Sequence, residues 1–261
     1  MRRKNAPQLL FDVIDNESLS VAAVTQIEDL ILSGVLREND MLPGERELSE
    51  QFGISRPKVR EALSQLAETG LVRIVPNDGI YVSKLGGDVM SPALISLYNR
   101  SSSAIRDNLE YRREQEGFAC RLAAHRATNR DQLELKRVLQ DMEAADAAHD
   151  AEKAADLDLT LHHCIVFAAH NSTLTHMMAA LYNLNRSSIF FNRAKLLNVE
   201  KTSGVLFGQH SDIVEAICQG NPHQAEKAAH THIDYVCALI ETEFEKRSRE
   251  ALSKKRFSRL D

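Results

Sequence analysis

Apolar residues in the first third of the chain recur at helical spacing over two short neighbouring segments. Leu48 and Phe52 mark the first segment. The second segment carries Val59, Ala62, Leu63 and Leu66. Residues three or four positions apart share one face of a helix, so each segment predicts a helix with one buried stripe. Gly53 lies between the segments and predicts the turn that joins them.

The second of these predicted helices begins with a cluster of positive charge. Ser55 is its expected N-cap, and Pro57 fits the first turn because that position needs no N–H. Arg56, Lys58 and Arg60 then project from the same end. Two helices joined by a tight turn, with cations at the start of the second, are typical of a helix-turn-helix whose second helix enters a DNA major groove. The alternative is a solvated helix start in an ordinary helical hairpin.

Two short runs of β-prone residues follow, at positions 71–75 and 79–83. The residues between them, Pro76 to Asp78, are of types that favour tight turns. The pattern predicts a β-hairpin, which is the wing of a winged helix-turn-helix.

In these residues the chain resembles the winged helix-turn-helix of the GntR superfamily of bacterial transcription regulators. The motifs that carry the resemblance are LPGERELSE, GISRPKVREAL and GLVRIVPNDGIYV, in that order within residues 19–83. The resemblance implies DNA binding, with the tip of the wing near the minor groove. The residues that it places on DNA are Arg46, Ser55, Arg56, Lys58, Arg60, Asn77 and Gly79.

The rest of the chain follows helical spacing almost throughout. Two adjacent glycines, Gly86 and Gly87, interrupt it and predict a linker. Helices are predicted at residues 90–99, 104–128, 130–149, 151–170, 171–193, 203–219 and 222–248. The predicted fold is mainly α. It comprises a winged helix-turn-helix at 1–85, a linker at 86–88, an all-α bundle of six or seven helices at 89–248 and a basic, helical tail at 249–261.

Composition is typical of a two-domain protein without a membrane segment. The chain has 261 residues, of which 43% are apolar and 26% are charged. No apolar run approaches the ~20 residues of a membrane span, and no hydrophobic secretory segment follows the first four residues. We therefore expect a cytoplasmic, nucleoid-associated protein with no membrane partner.

Net charge by itself does not favour DNA binding. Residues 1–85 contain 10 Lys and Arg against 13 Asp and Glu, a net charge of −3. Attraction to phosphate must therefore come from the local cluster of cations. Some of the acids are expected to lie on other faces, such as Glu28, Asp29, Glu38 and Asp40 around the first helix. One such domain should bind a half-site weakly, so we expect a homodimer on a palindromic operator of double-stranded DNA.

Four polar residues of the predicted bundle have the chemistry of a metal site. Asp158 and His162 are four positions apart and therefore lie on one helical face. His210 and His232 lie on the last two predicted helices, among apolar residues that should face the interior. Three imidazoles and a carboxylate suit a divalent transition metal, with Zn²⁺ preferred and Ni²⁺ or Mn²⁺ as alternatives.

Neighbouring histidines are less suitable as metal ligands. The alternative for each of the three proposed histidine ligands is an ordinary core or surface residue. His163 and His230 are rotated about 100° and 200° around their helices from the proposed ligands. They are therefore excluded from the predicted ligand set.

This half of the chain resembles the FCD effector-binding domain that accompanies GntR winged helices. The resemblance runs over residues 104–243 and rests on an Arg-x-x-x-Glu helix, then D-x-x-x-H, then two helices that each carry a histidine. Arg112 and Glu116 form the first motif. The resemblance implies a metal held by the four residues above and is closest to the branch of pyruvate dehydrogenase complex and lactate utilisation repressors.

That domain uses open metal positions for small organic acids, so the implied effector is a carboxylate such as lactate or pyruvate. Arg112 is the candidate clamp for it, and the alternative for Arg112 is an ion pair with Glu116. Asn192 is a second candidate contact. The predicted function is a transcription regulator, by default a repressor, controlled by a metal-bound acid. The alternatives are a DNA-binding regulator without a metal-gated site, and a metal-dependent enzyme, for which the bundle offers no clear general base.

Overall fold

A computed structural model of the chain describes residues 17–84, 96–98, 101–186 and 200–258. The chain divides into two compact units, Met1–Gly87 and Asp88–Asp261. The predicted linker at 86–88 and the predicted effector contact Asn192 lie outside the described residues.

The first unit consists, in its described part, of three helices and a small sheet. The elements are α1 (Glu17–Leu32), β1 (Met41–Leu42), α2 (Glu45–Phe52), α3 (Arg56–Glu68), β2 (Val72–Val75) and β3 (Gly79–Val82). The strands are antiparallel in the order β1-β3-β2, and Ile74 lies opposite Ile80 in the hairpin. The predicted helix pair and its hairpin wing are confirmed.

One apolar core joins the helix pair to the wing. Leu48 of α2 and Leu66 of α3 are buried together with Val72 and Val82 of the two hairpin strands. Burying a large aliphatic side chain stabilises the fold by roughly 1.5–3 kcal/mol relative to exposure, so these contacts hold the wing against α3. Phe52, which the pattern placed on the same stripe, is half-buried and packs against this core.

The turn between α2 and α3 has the predicted form except for its cap. Gly53 has φ 67° and ψ 25°, a left-handed conformation in which a Cβ atom would be strained. Ser55 occupies the N-cap position and Pro57 the first turn of α3, but the Ser55 side chain makes no capping hydrogen bond. Its backbone carbonyl accepts from the N–H groups of Lys58 and Val59 instead.

The second unit is helical throughout its described part. Its helices are α4 (Ser102–Arg126), α5 (Asn129–Ala147), α6 (Ala151–Ala168), α7 (Ser172–Arg186), α8 (Glu200–Cys218) and α9 (Pro222–Phe257), and residues 96–98 are also helical. The predicted all-α bundle is confirmed. Helix α9 continues past the predicted end at Ser248 to Phe257, so the basic tail is part of this helix through that residue.

The bundle has a continuous apolar core to which α4 to α9 all contribute. Leu135 of α5, Leu161 of α6 and Ile217 of α8 are fully buried in it. Helices α4 and α9 approach each other closely at Gly117, where an added Cβ atom would overlap the ring of His230. No helix in the described part of the chain is long and apolar enough to cross a membrane.

Candidate metal centre and DNA-binding surface

The four predicted metal ligands come together in the interior of the second unit. Asp158 and His162 lie on α6, His210 on α8 and His232 on α9, and all four side chains are buried. The three histidines, called the histidine cluster below, each have a ring nitrogen within 4.8 Å of the others. Oδ1 of Asp158 lies 3.1 Å from Nε2 of His210 and 3.8 Å from Nε2 of His162. Ligand atoms about 2.0–2.2 Å from one ion lie roughly 3–4 Å apart, so small adjustments would fit these atoms to a single ion.

A buried carboxylate fixes the orientation of His162. Nδ1 of His162 lies 2.8 Å from Oε2 of Glu116 on α4, so Nδ1–H donates to the carboxylate. The other ring nitrogen, Nε2, is buried and has no hydrogen-bond partner among the described atoms. A buried polar atom left without a partner costs about 1–3 kcal/mol. Coordination of a metal ion by Nε2 would remove that cost, and a carboxylate on the far nitrogen is the usual support for a histidine ligand.

A second polar side chain orients His232. Its Nδ1 lies 3.1 Å from Oε1 of Gln209, the residue before His210 on α8. When Nδ1–H donates to the amide oxygen, Nε2 is the nitrogen that carries the lone pair needed by a metal. The residues present therefore fit a bound divalent ion. Sequence reasoning missed Gln209, because nothing in its spacing links it to a histidine 23 positions away.

Arg112, the predicted acid clamp, forms an ion pair within α4. Its Nε lies 2.5 Å from Oε1 of Glu116, and its side chain is 13% exposed. Burial alone would raise the pKa of Glu116. The charge of Arg112 and the hydrogen bonds from His162 and Arg112 outweigh burial and lower the pKa of Glu116 to about 2. Glu116 is therefore a carboxylate that links Arg112 to His162. The ion pair considered as the alternative for Arg112 is present, and its contact with an acid stays a prediction.

Tyr182 of α7 borders this network and was not predicted. Its ring centroid lies 6.3 Å from that of His162. Burial, together with the charge of Glu116, raises the pKa of Tyr182 well above its usual value, so the hydroxyl group stays protonated. Its neutral hydroxyl group adds a buried polar group beside Glu116 and His162.

The excluded histidines are placed elsewhere. The ring of His163 is stacked on Phe167 and meets the ring of Tyr182 edge-on. His230 packs against Gly117 of α4. Neither belongs to the histidine cluster, which matches their rotation around α6 and α9.

In the first unit, carboxylates from the same segment accompany the cations predicted to contact DNA. Arg60 donates to Glu45 from Nε over 3.0 Å and from Nη2 over 2.7 Å. Nη2 of Arg56 lies 3.8 Å from the same carboxylate. Lys58 lies 2.9 Å from Glu61. Two acids that the sequence analysis did not consider therefore lie beside these cations: Glu61 is three positions from Lys58 on α3, and the packing of α2 on α3 brings Glu45 to Arg60. That other acids lie on other faces stays a prediction.

The remaining predicted DNA contacts lie at exposed positions or at the wing tip. Arg46 is 83% exposed and lies 3.9 Å from Glu50, one helical turn away. Asn77, at the tip of the hairpin, is exposed and has a left-handed φ of 62°. Gly79 begins β3 and lies against Met41, and a side chain there would displace the end of Met41.

Comparison with known proteins extends over most of the chain. Residues 19–82 match the family model described as bacterial regulatory proteins, gntR family. Residues 107–235 match the FCD domain, so the histidine cluster and Asp158 all fall within it.

Several regulators are similar to the chain over most of their length. It is 32% identical to the Glc operon transcriptional activator of Escherichia coli (strain K12) over 211 residues, 79% of this chain and 83% of that protein. It is 30% identical to the HTH-type transcriptional regulator LutR of Bacillus subtilis (strain 168) over 217 residues, 83% of this chain and 98% of that protein. A protein of Escherichia coli (strain K12) named for the L-lactate dehydrogenase operon is 27% identical over 238 residues, 89% of this chain and 90% of that protein.

The fold is also present in a solved structure. The Streptococcus agalactiae GntR structure is similar with a TM-score of 0.53 and 24% identity, covering 84% of this chain and 99% of that one. At this identity the likeness shows the fold alone.

Proposed function

The chain belongs to the gntR family of bacterial regulatory proteins and carries an FCD domain, and we propose that a small organic acid bound at a metal centre in that domain controls its affinity for DNA. Transcription regulation through a winged helix-turn-helix follows from family membership. The metal, the acid and the coupling between them are the proposal.

The buried convergence of the histidine cluster with Asp158 is the observation that carries the proposal. Four side chains from three helices meet in the interior, although an aspartate and three histidines are costly to bury. Glu116 and Gln209 orient two of the rings through Nδ1, which places the lone pair of each ring on Nε2. When bound, the ion supplies a positive charge and, if it takes five or six ligands, open positions for a carboxylate.

An acid at this centre would be sensed by the residues around it. Arg112 is largely buried beside Glu116, and its planar guanidinium group can pair with a carboxylate through the nitrogens that Glu116 does not engage. Glu116 contacts both Arg112 and His162. A carboxylate that binds Arg112 would therefore change the contacts of Glu116 and, through Glu116, those of the proposed metal ligand His162. Asn192 remains a candidate contact outside the described residues.

The relatives support an acid of the size of lactate or pyruvate. One of them is named for the L-lactate dehydrogenase operon. An acid with an oxygen on the carbon next to its carboxylate can chelate a metal through both groups. The default is repression relieved by the acid, although another relative is named as an activator. We propose a homodimer in the cytoplasm, because a two-fold protein matches a palindromic operator.

Two alternative functions would use the same residues. In the first, the protein regulates transcription and the histidines only form a polar core. In the second, the centre catalyses a metal-dependent reaction. The similarity of most of the chain, including both units, to regulators favours regulation over catalysis.

The test compares wild-type protein with His210→Ala and His163→Ala, all purified without a histidine tag. Elemental analysis should find one equivalent of divalent metal in wild type and His163→Ala, and little in His210→Ala. Calorimetric titration with lactate, pyruvate and citrate should follow the same order, while gel-shift affinity for an operator duplex without acid should stay similar in all three. Equal, negligible metal in every protein, or acid binding that survives in His210→Ala, would leave only the regulator without a metal gate.

A further inference from the structure

One carboxylate, that of Glu45, contacts two of the arginines at the start of the recognition helix α3. It accepts two hydrogen bonds from Arg60 and lies 3.8 Å from Nη2 of Arg56. The Glu45 side chain is 29% exposed, whereas those of Arg56 and Arg60 are 59% and 65% exposed. The carboxylate is therefore set back between α2 and α3, and the two guanidinium groups extend from it into solvent.

We propose that Glu45 is a positioning residue that determines sequence specificity, because it holds Arg60 for a base edge and disfavours contact of Arg60 with phosphate. This inference rests on the DNA-binding function of α3 and names how that surface discriminates between its two kinds of DNA contact.

The geometry of the ion pair supports a base-reading role for Arg60. A guanidinium group has five N–H donors in a planar fork. Glu45 occupies the edge formed by Nε and Nη2. The edge formed by Nη1 and Nη2 remains for another partner, and it is this pair of parallel donors that matches O6 and N7 of guanine in the major groove. An arginine held in advance also loses less side-chain entropy when it binds.

The charge of Glu45 supports discrimination against phosphate. The hydrogen bond from Arg60 outweighs burial and lowers the pKa of Glu45, so the carboxylate is ionised at neutral pH. A phosphate that approaches Arg60 meets this negative charge, whereas guanine presents neutral acceptors. Contact with phosphate carries no sequence information, so weakening it lowers the affinity for non-specific DNA more than that for the operator.

Glu50 provides a matched control on the same helix. It forms a single contact of 3.9 Å with Arg46, and both side chains are largely exposed. Glu50→Gln removes the same charge as Glu45→Gln but does not release an arginine of α3. Glu45→Asp keeps the charge and shortens the side chain by one methylene group, so it separates positioning from repulsion.

The experiment uses the full-length protein and a duplex selected by the wild type from a random-sequence pool. Affinities for this duplex and for a scrambled duplex of equal length are measured by fluorescence anisotropy over a series of salt concentrations. Glu45→Gln should bind the selected duplex about tenfold more weakly and the scrambled duplex about threefold more tightly, with a salt slope on scrambled DNA steeper by about one phosphate contact. Glu45→Asp should lose affinity for the selected duplex only. Glu50→Gln should change both affinities by the same factor.

Two results would overturn the inference. In one, Glu45→Gln binds both duplexes more tightly by an equal factor, which would make Glu45 only a mask for positive charge. In the other, neither affinity changes. Failure of the wild type to select any consensus would be a different failure, because it would contradict sequence-specific binding itself and the inference with it.

Discussion

Removing His232 should abolish the stabilisation that a bound metal gives to the second unit. His232 is 1% exposed, and when its Nδ1–H donates to Gln209, the lone pair that a metal needs lies on Nε2. The matched change is His163→Ala, which removes the same side chain next to a proposed ligand but outside the histidine cluster. Each variant is compared with itself, with and without a chelator, because the loss of a buried ring lowers stability whether or not metal is present.

The expected size follows from mass action on the folded state. At a free ion concentration about a hundredfold above its dissociation constant, binding stabilises the folded protein by about 2.7 kcal/mol. In a domain of about 150–250 residues, each kcal/mol shifts the melting temperature by about 2–4 °C. The chelator should therefore lower the melting temperature of wild type and His163→Ala by about 5–11 °C. The chelator should have little effect on the melting temperature of His232→Ala, because the three proposed ligands that remain bind the ion far more weakly than all four together.

The assay is differential scanning calorimetry of tag-free protein before and after dialysis against EDTA, with metal content measured on the same samples. A fall in melting temperature of equal size in wild type and His232→Ala would place the ion at another site. An unchanged melting temperature in a wild-type sample shown to have lost its metal would refute the coupling between the ion and the fold of the bundle.

Four further outcomes are expected. Arg112→Ala should keep the metal and bind lactate or pyruvate at least tenfold more weakly in calorimetry; unchanged acid affinity would exclude the clamp. Arg56→Ala and Arg60→Ala should each lower the binding free energy at the operator by about 1–3 kcal/mol in gel shifts, and full operator affinity in the double variant would exclude both contacts. Arg46→Ala should weaken binding to all sequences and reduce the salt slope by about one. Light scattering should show a homodimer, and footprinting should show two half-sites. A monomer that protects one unrepeated site would contradict this expectation. Asp131→Asn should cost about 1 kcal/mol at pH 7 in denaturant titrations, because Asp131 completes the capping box of α5 and contacts His170. Burial would raise the pKa of Asp131, but hydrogen bonds from Thr128 and His170 outweigh burial and lower it. The difference in stability between wild type and variant should therefore persist down to the unfolded pKa of about 3.9 and vanish as pH falls through the folded pKa. A constant difference at low pH would contradict this.

Local spacing was enough to predict the features that depend on one helix or one hairpin. Leu48 and Leu66 are buried as their helical period requires, and Gly53 adopts the left-handed turn. Asp158 and His162 share a face of α6 because they are four positions apart. These results follow from the geometry of a single element, which the order of residues sets without reference to the rest of the chain.

The polar contacts between helices were less predictable. The sequence contains both Glu45 and Arg60, yet their pairing across 15 positions depends on the angle at which α2 meets α3. The spacing of the residues therefore did not predict that Glu45 lies beside the cations of α3. Ser55 was placed correctly as an N-cap, but the rotamer of its hydroxyl group is decided by its surroundings and not by its position.

The sequence by itself determined the helix-turn-helix with its wing and the helical bundle, and it singled out four residues of the types that bind metals. Only the tertiary structure decided that His210 and His232 meet the face of α6 that carries Asp158 and His162, and that Glu116 and Gln209 turn two of the rings through Nδ1. Helical periodicity specifies which side of a helix is buried, because the backbone repeats every 3.6 residues. It does not specify which buried sides face each other or which nitrogen of a ring carries the hydrogen, because both depend on how side chains from distant parts of the chain pack and satisfy one another's hydrogen bonds.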